Sequence, residues 1–302
     1  MVYAEPLENG RATGTTPGGT PYARIDLAFG ARLAYVYVPT RVTAWTHTSL
    51  LHVIHGMTGT RTFAEGALGK PILDAALDRG WIVASASNGN TWGNPQAMTD
   101  LRNLYEYVAM RWWIDHTLTF GHSMGGMASM VVGGRREVPS LAAVVSLNGM
   151  IDTQDYGDST TLTSYGASDW TDLLAKQAGH DPVRDDPARW ANLPIMLIDT
   201  LTDTSKRQSD LFISRSTTPA FITQATHTGG HMDNPKVAET LAFLAANAPA
   251  YIDGQTIDTQ PVPKWPGWDD GSPAPGGGSS GLYRNGAEVS LYDTTGQSAT
   301  IN

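Results

Sequence analysis

Three side chains carry the chemistry that this sequence most readily supports: Ser123, Asp203 and His231. Ser123 is the centre of Gly121-His122-Ser123-Met124-Gly125, a G-x-S-x-G pattern set between a strand-like run, Thr117-Leu118-Thr119-Phe120, and a small-residue helix that begins at Gly125-Gly126. Such a turn is a strained strand-to-helix bend that lifts the serine hydroxyl above a sheet, with small neighbours avoiding a clash. A serine hydroxyl is a poor nucleophile at neutral pH, so it needs a base and a group that orients the base. Asp203 follows the apolar run Pro194 to Ile198, and His231 stands in Gly229-Gly230-His231-Met232-Asp233, just before the last helical stretch. Asp199 and His227 are nearby alternatives for the same two roles.

The elements that must position these residues follow from hydrophobic periodicity and punctuation. Tyr22 to Phe29 and Arg32 to Val38 alternate around Gly30-Ala31, which predicts an antiparallel hairpin. Buried strands are expected at Ser49 to Ile54, Trp81 to Ser85, Thr117 to Phe120, Leu141 to Leu147, Pro194 to Ile198 and Ala220 to Thr226. Helices are expected from Pro71 to Arg79, stopped by Gly80, from an Asn94 cap with Pro95 in the first turn, after Ser123, near Ser209 to Ser214, and from Asn234-Pro235 to about Ala248. Strands alternating with helices predict an α/β fold with a mostly parallel sheet and helices on both faces. In such a sheet the loops bearing Ser123, Asp203 and His231 all leave the carboxyl edge, where residues remote in sequence converge. Between Asn148 and Leu193 the rhythm fails, with one helical candidate around Trp170 to Gln177, which predicts a cap insertion over about 149–193.

The order Ser, Asp, His and the loop that bears each residue resemble the α/β-hydrolase superfamily over roughly Tyr22 to Pro249, and within it compact serine esterases of the lipase and polyester-depolymerase type. The resemblance implies Ser123 as nucleophile, Asp203 as acid and His231 as general base. Asp199 falls at a strand end where family members usually carry a small apolar residue or glycine, and His227 lies before the glycine-bearing loop that usually holds the base. His122 is expected to face away from the reacting centre, as a residue that packs or that supports the catalytic groups from outside. The oxyanion hole is assigned to the backbone N–H groups of Met124 and of Met57, the latter in His55-Gly56-Met57, which resembles the His-Gly element of many lipases without its longer glycine run. Such donors are each worth roughly a hundredfold or more in rate. His55, Gly56, Trp92 and Asn94, with the cap aromatics Tyr156, Tyr165 and Trp170, are candidate walls of a substrate pocket. No cofactor and no metal is expected.

Composition narrows the partners. Asp and Glu number 29 against 20 Lys and Arg, a net charge of -9 in 302 residues, which disfavours nucleic acid and anionic membranes. No cysteine is present, so disulfides, thiolate metal sites and a cysteine nucleophile are excluded. Residues Met1 to Pro21 contain no apolar core of a secretory signal and no run has membrane-spanning length, so a soluble chain of unassigned location is expected. Eight aspartates from Asp152 to Asp186 would discourage an anionic substrate if the cap faces the site. An ester-bearing small molecule, lipid or polymer is the expected substrate; a peptidase or acyltransferase would use the same residues and differ in what resolves the acyl-enzyme.

The expected organisation is an irregular arm at 1–21, a hydrolase domain at 22–250, a Pro-, Gly- and Trp-rich linker at 251–281 and a β extension at 282–302, with Ala287 to Ile301 forming one or two weak strands. The two ends loosely resemble assembly segments of tail-tip proteins of phages that infect actinobacteria. That resemblance implies a second class of function, a virion component that carries the hydrolase and assembles, as a homo-oligomer, through its ends.

Overall fold

A computed structural model describes residues 6–29, 32–87, 89–234 and 236–249, together with the backbone of three strands at 281–285, 288–292 and 298–301. The chain divides into two units, 1–253 and 254–302. The second contains strands β10 (Gly281–Asn285), β11 (Glu288–Tyr292) and β12 (Ser298–Ile301), joined as an antiparallel sheet with β11 in the middle. Two of them fall in the stretch from Ala287 to Ile301 where the alternation predicts one or two, and β10 precedes it.

The first unit is organised by a nine-stranded sheet. Strands β1 (Leu7–Thr15), β2 (Pro21–Phe29), β3 (Arg32–Pro39) and β5 (Ile82–Ala86) are antiparallel neighbours in that order. The rest runs parallel: β5, β4 (Thr48–Ile54), β6 (Ile114–His122), β7 (Leu141–Leu147), β8 (Ile195–Thr200) and β9 (Ile222–His227). All seven residues of β4 are buried, as expected of a strand covered on both faces. Leu50, Ile54, Val144 and Leu197 pack under helices α2 (Pro95–Ala109) and α3 (Met124–Arg135) through Met98, Leu101, Met127 and Val131. Leu51, Val53, Phe120 and Val145 pack on the other face against α1 (Lys70–Asp78) and, at Leu244, the last helix. Among the described residues no helix is long and apolar enough to cross a membrane.

Four local readings change. Residues 7–15, expected within an irregular arm, form β1, whose sequence LENGRATGT has no apolar alternation because it is an edge strand largely exposed to solvent. The cap holds three short helices, α4 (Thr153–Tyr156), α5 (Ser159–Tyr165) and α6 (Trp170–Lys176), where periodicity shows only the last. Helix α7 (Ser205–Arg215) is longer than its apolar stretch, and α8 (Val237–Asn247) begins after Lys236 rather than at Asn234, with Pro235 outside the described residues.

Candidate active site

Ser123 is the last residue before α3 and has φ 56° and ψ -118°, a conformation costly for a residue with a side chain. Two glycines make the turn feasible. A Cβ on Gly121 would lie 2.0 Å from the carbonyl oxygen of Gly125, and one on Gly125 would lie 2.3 Å from the carbonyl oxygen of Ile54. The turn is anchored by its backbone: the Ser123 N–H donates to Leu147 O at 2.9 Å, and Ser123 O accepts from Met127 at 3.2 Å and Met150 at 3.3 Å. Met124 opens α3, and the first-turn amides of a helix have no acceptor within it.

The loop after β4 lies directly against the turn. A Cβ on Gly56 would come within 3.3 Å of the Ser123 Cβ and 3.0 Å of the His122 ring, so a side chain here would press on the turn by a few tenths of an ångström. Wholly buried His55 folds the loop by donating from Nδ1 to Gly56 O at 2.6 Å, and its burial keeps the imidazole neutral by lowering its pKa. The Met57 side chain packs on the core and its sulfur accepts from Thr160 of α5 at 3.6 Å.

Asp203 and His231 meet. Asp203 Oδ2 accepts from His231 Nδ1 at 2.7 Å, while its Oδ1 accepts from the Ser205 N–H at 2.8 Å, in the first turn of α7. Holding the proton on Nδ1 leaves Nε2 with a lone pair. Both side chains keep access to solvent, 21 % for Asp203 and 31 % for His231. Asp199 is buried with its oxygens taken by Ser209 at 2.9 Å and Gln224 at 3.1 Å, and burial pushes its carboxyl up to about 6. His227 is also buried; its Nε2–H donates to Asn148 Oδ1 at 3.1 Å.

His122 is buried and supports the His231 loop. Its ring stands 5.0 Å from that of His231, and its Nε2–H donates to the His231 carbonyl at 2.9 Å. Burial pushes the imidazole down to about 4, so it makes this contact as the neutral ring. Two of the candidate pocket walls are otherwise employed. Trp92 is wholly buried, donating from Nε1 to Thr160 Oγ1 at 2.9 Å, and Asn94 caps α2 through the Ala97 N–H while donating to Ser164 O at 2.7 Å. Both bond to residues of α5 in the cap. Tyr156, its ring tilted 43° and 5.5 Å from that of Trp92, is 37 % exposed and lies within the electrostatic reach of Asp203; burial, with Asp158 and Asp203, holds its phenol above the ordinary value.

One residue of this edge has no signal in periodicity or motif: Asn148, wholly buried after β7 at φ 47°, whose amide bonds to the backbone of the His231 loop. An asparagine placed immediately after a buried strand, where a left-handed residue is tolerated, is the cue that could have drawn attention to it. Among the described residues no group of three or more His, Cys, Asp or Glu is arranged to hold a metal ion.

No known family model matches the chain, and no curated protein does. Solved structures do. An S-formylglutathione hydrolase from Agrobacterium tumefaciens is 13% identical with TM-score 0.61, covering 78% of this chain and 98% of its own. An acetyl xylan esterase from Paenibacillus sp. R4 is 13% identical with TM-score 0.56 over 80% and 89% of the two chains. Prolyl oligopeptidase B from Galerina marginata is 14% identical with TM-score 0.57, covering 82% of this chain and 37% of that one. At these identities the likeness is one of fold: the chain has the α/β-hydrolase fold, with a mostly parallel sheet and helices on both faces. The likeness of the termini to phage tail segments draws no support from these comparisons.

Proposed function

We propose that the chain is a serine hydrolase that cleaves a carboxylic ester, with Ser123 as nucleophile, His231 as general base and Asp203 as the group that orients the base. The observation that carries this reading is the 2.7 Å bond between Asp203 and His231 Nδ1, formed at the same sheet edge as a serine held at positive φ. In the reaction, His231 Nε2 takes the Ser123 proton as Oγ attacks the ester carbonyl. The resulting oxyanion is met by the N–H groups of Met124 and Met57. Collapse expels the alcohol, which takes the proton from His231, and leaves an acyl-Ser123; water, deprotonated by the same nitrogen, then releases the acid. Two of the similar structures bear the names of an esterase and of an S-acyl hydrolase, which favours hydrolysis. The likeness to a prolyl oligopeptidase keeps an amide substrate as the second reading, since the same residues serve it.

A fluorophosphonate probe and nitrophenyl esters of short and long acyl chain test the proposal. Wild type is expected to label and turn over, and Ser123→Ala to do neither. Asp203→Asn should slow acylation by about 10³–10⁴, the cost of the wrong imidazole tautomer. His231→Ala should abolish acylation whereas His227→Ala should not; equal turnover by Ser123→Ala sinks the reading.

A further inference from the structure

The hydrogen bonds of Asn148 form a junction between the parts of this site. Its Oδ1 lies 2.8 Å from the Thr200 N–H, a group that can only donate, so that atom is the oxygen of the amide. The other atom is therefore the NH₂, and it faces two backbone carbonyls, which can only accept: His231 O at 2.8 Å and Asp233 O at 3.3 Å. His227 Nε2, 3.1 Å from the same Oδ1, must then carry its proton. The chemistry of its neighbours thus fixes the amide orientation without appeal to its own geometry.

The backbone around Asn148 is tied to the nucleophile. Leu147 O accepts the Ser123 N–H, and the Asn148 N–H donates to Ile198 O at 2.6 Å, extending the ladder between β7 and β8. One dipeptide, Leu147-Asn148, therefore grips Ser123 by its backbone and His231 by its carbonyl. His122, the residue before Ser123, donates to that same carbonyl, so His231 is referenced twice to the nucleophile turn.

We propose that Asn148 is a positioning residue for His231, that His227 and the Thr200 N–H lock its amide in the donating orientation, and that this junction sets the distance from His231 to Ser123. The inference rests on the serine-hydrolase reading above. It gives His227, the rival base, a definite role: its proton is committed to Asn148, so it supports the base instead of acting as one. Misplacing a catalytic group by about 1 Å can cost on the order of a hundredfold in rate, so the effect belongs in acylation rather than in substrate binding.

Asn148→Asp is the discriminating variant, because a carboxylate keeps the accepting half of the junction and turns the donating half into a repulsion against two carbonyls. Its fluorophosphonate labelling and kcat for a nitrophenyl ester should fall about 10- to 100-fold with KM within about twofold. Its rate relative to wild type should rise as the pH is lowered, as the new carboxyl gains a proton to donate. Circular dichroism separates a folded variant from an unfolded one. Should Asn148→Asp fail to fold, His227→Leu leaves Asn148 in place, and labelling should slow several-fold, with His227→Gln, which can donate again, returning most of it. Wild type that labels while folded Asn148→Asp labels equally fast at every pH overturns the inference alone, as does an unchanged rate in His227→Leu. Wild type that never labels overturns the serine-hydrolase reading and the inference together.

Discussion

The Ser123 turn and the cap occupy the same edge of one sheet and are built on opposite principles. The turn is fixed by backbone sterics: Gly121 and Gly125 stand where any Cβ would strike a carbonyl, and Ser123 is held at φ 56° by strand and helix on either side. The cap is fixed by side chains. Asp152, Asp158 and Asp169 each accept from backbone N–H groups at the start of α4, α5 and α6. Arg184 joins Asp152 at 2.7 Å to Asp181 at 3.3 Å. All eight aspartates between 152 and 186 have partners of this kind, so their number is explained by folding short helices before any appeal to repelling an anionic substrate. The lesson is that the serine proposed to react sits where few sequences fit, and the cap sits where many do.

That contrast predicts unequal sensitivity. The largest effect should come from Gly125→Ala, which puts a methyl group 2.3 Å from Ile54 O and 2.5 Å from His55 O, atoms that cannot retreat without disturbing the end of β4 and the loop that carries Met57. Labelling of Ser123 should fall at least about a hundredfold, and unfolding free energy by about 1–3 kcal/mol, the usual cost of overpacking. An alanine variant with wild-type acylation would break the claim that backbone approach defines this turn.

Acid gives the second, smaller probe of the sheet side. His52, at the middle of β4, is wholly buried, and burial pushes its imidazole down to about 4, as it does for His122. Unfolded histidine titrates near 6.5. The unfolded chain therefore binds protons that the folded chain refuses, so stability present above about pH 6.5 is lost as the pH falls toward 4, by at most about 3 kcal/mol per group. Urea midpoints at pH 7 and 4.5 should show this loss, and His52→Leu should flatten it. His116 and His122 in β6, His227 in β9 and His180 in the cap are also held low by burial, so an acid limb unchanged in His52→Leu would move the sensitivity from the middle of β4 to these groups.

The same contrast explains what the sequence discloses. The strands around Ser123 are legible because double-sided burial demands unbroken apolar runs, and the turn is legible because only glycine fits beside it. Asp203 is separable from Asp199 by position, since one follows the strand and the other ends it. Asn148 is illegible because its function is a set of hydrogen bonds to Thr200, His227 and His231, groups brought together only by three parallel strands. β1 escapes because an exposed edge strand owes its register to ladder bonds rather than to apolar residues. Trp92 is ambiguous in sequence: an aromatic residue in a loop over the site has the same signature whether it meets substrate or packs under the cap, and the structure shows it bonded to Thr160.

Trp92 also supplies the mildest test. Its Nε1–H donates to Thr160 Oγ1, the Thr160 hydroxyl donates to the Met57 sulfur, and Tyr165 returns a bond to the Trp92 carbonyl at 3.0 Å. Trp92→Phe removes only the first of these and keeps a buried ring. The net value of one such bond is about 1 kcal/mol, which in a domain of this size lowers the melting temperature by about 2–4 °C. Because α5 keeps its own Asp158 cap and the backbone bond from Tyr165, the cap should stay in place, and fluorophosphonate labelling of Ser123 should remain within about threefold of wild type. A larger fall in labelling at that modest cost in stability would mean that the cap reaches the chemistry through Thr160 and Met57, by shifting the loop whose N–H is assigned to the oxyanion. The division between a fixed turn and a replaceable cover would then fail at that contact.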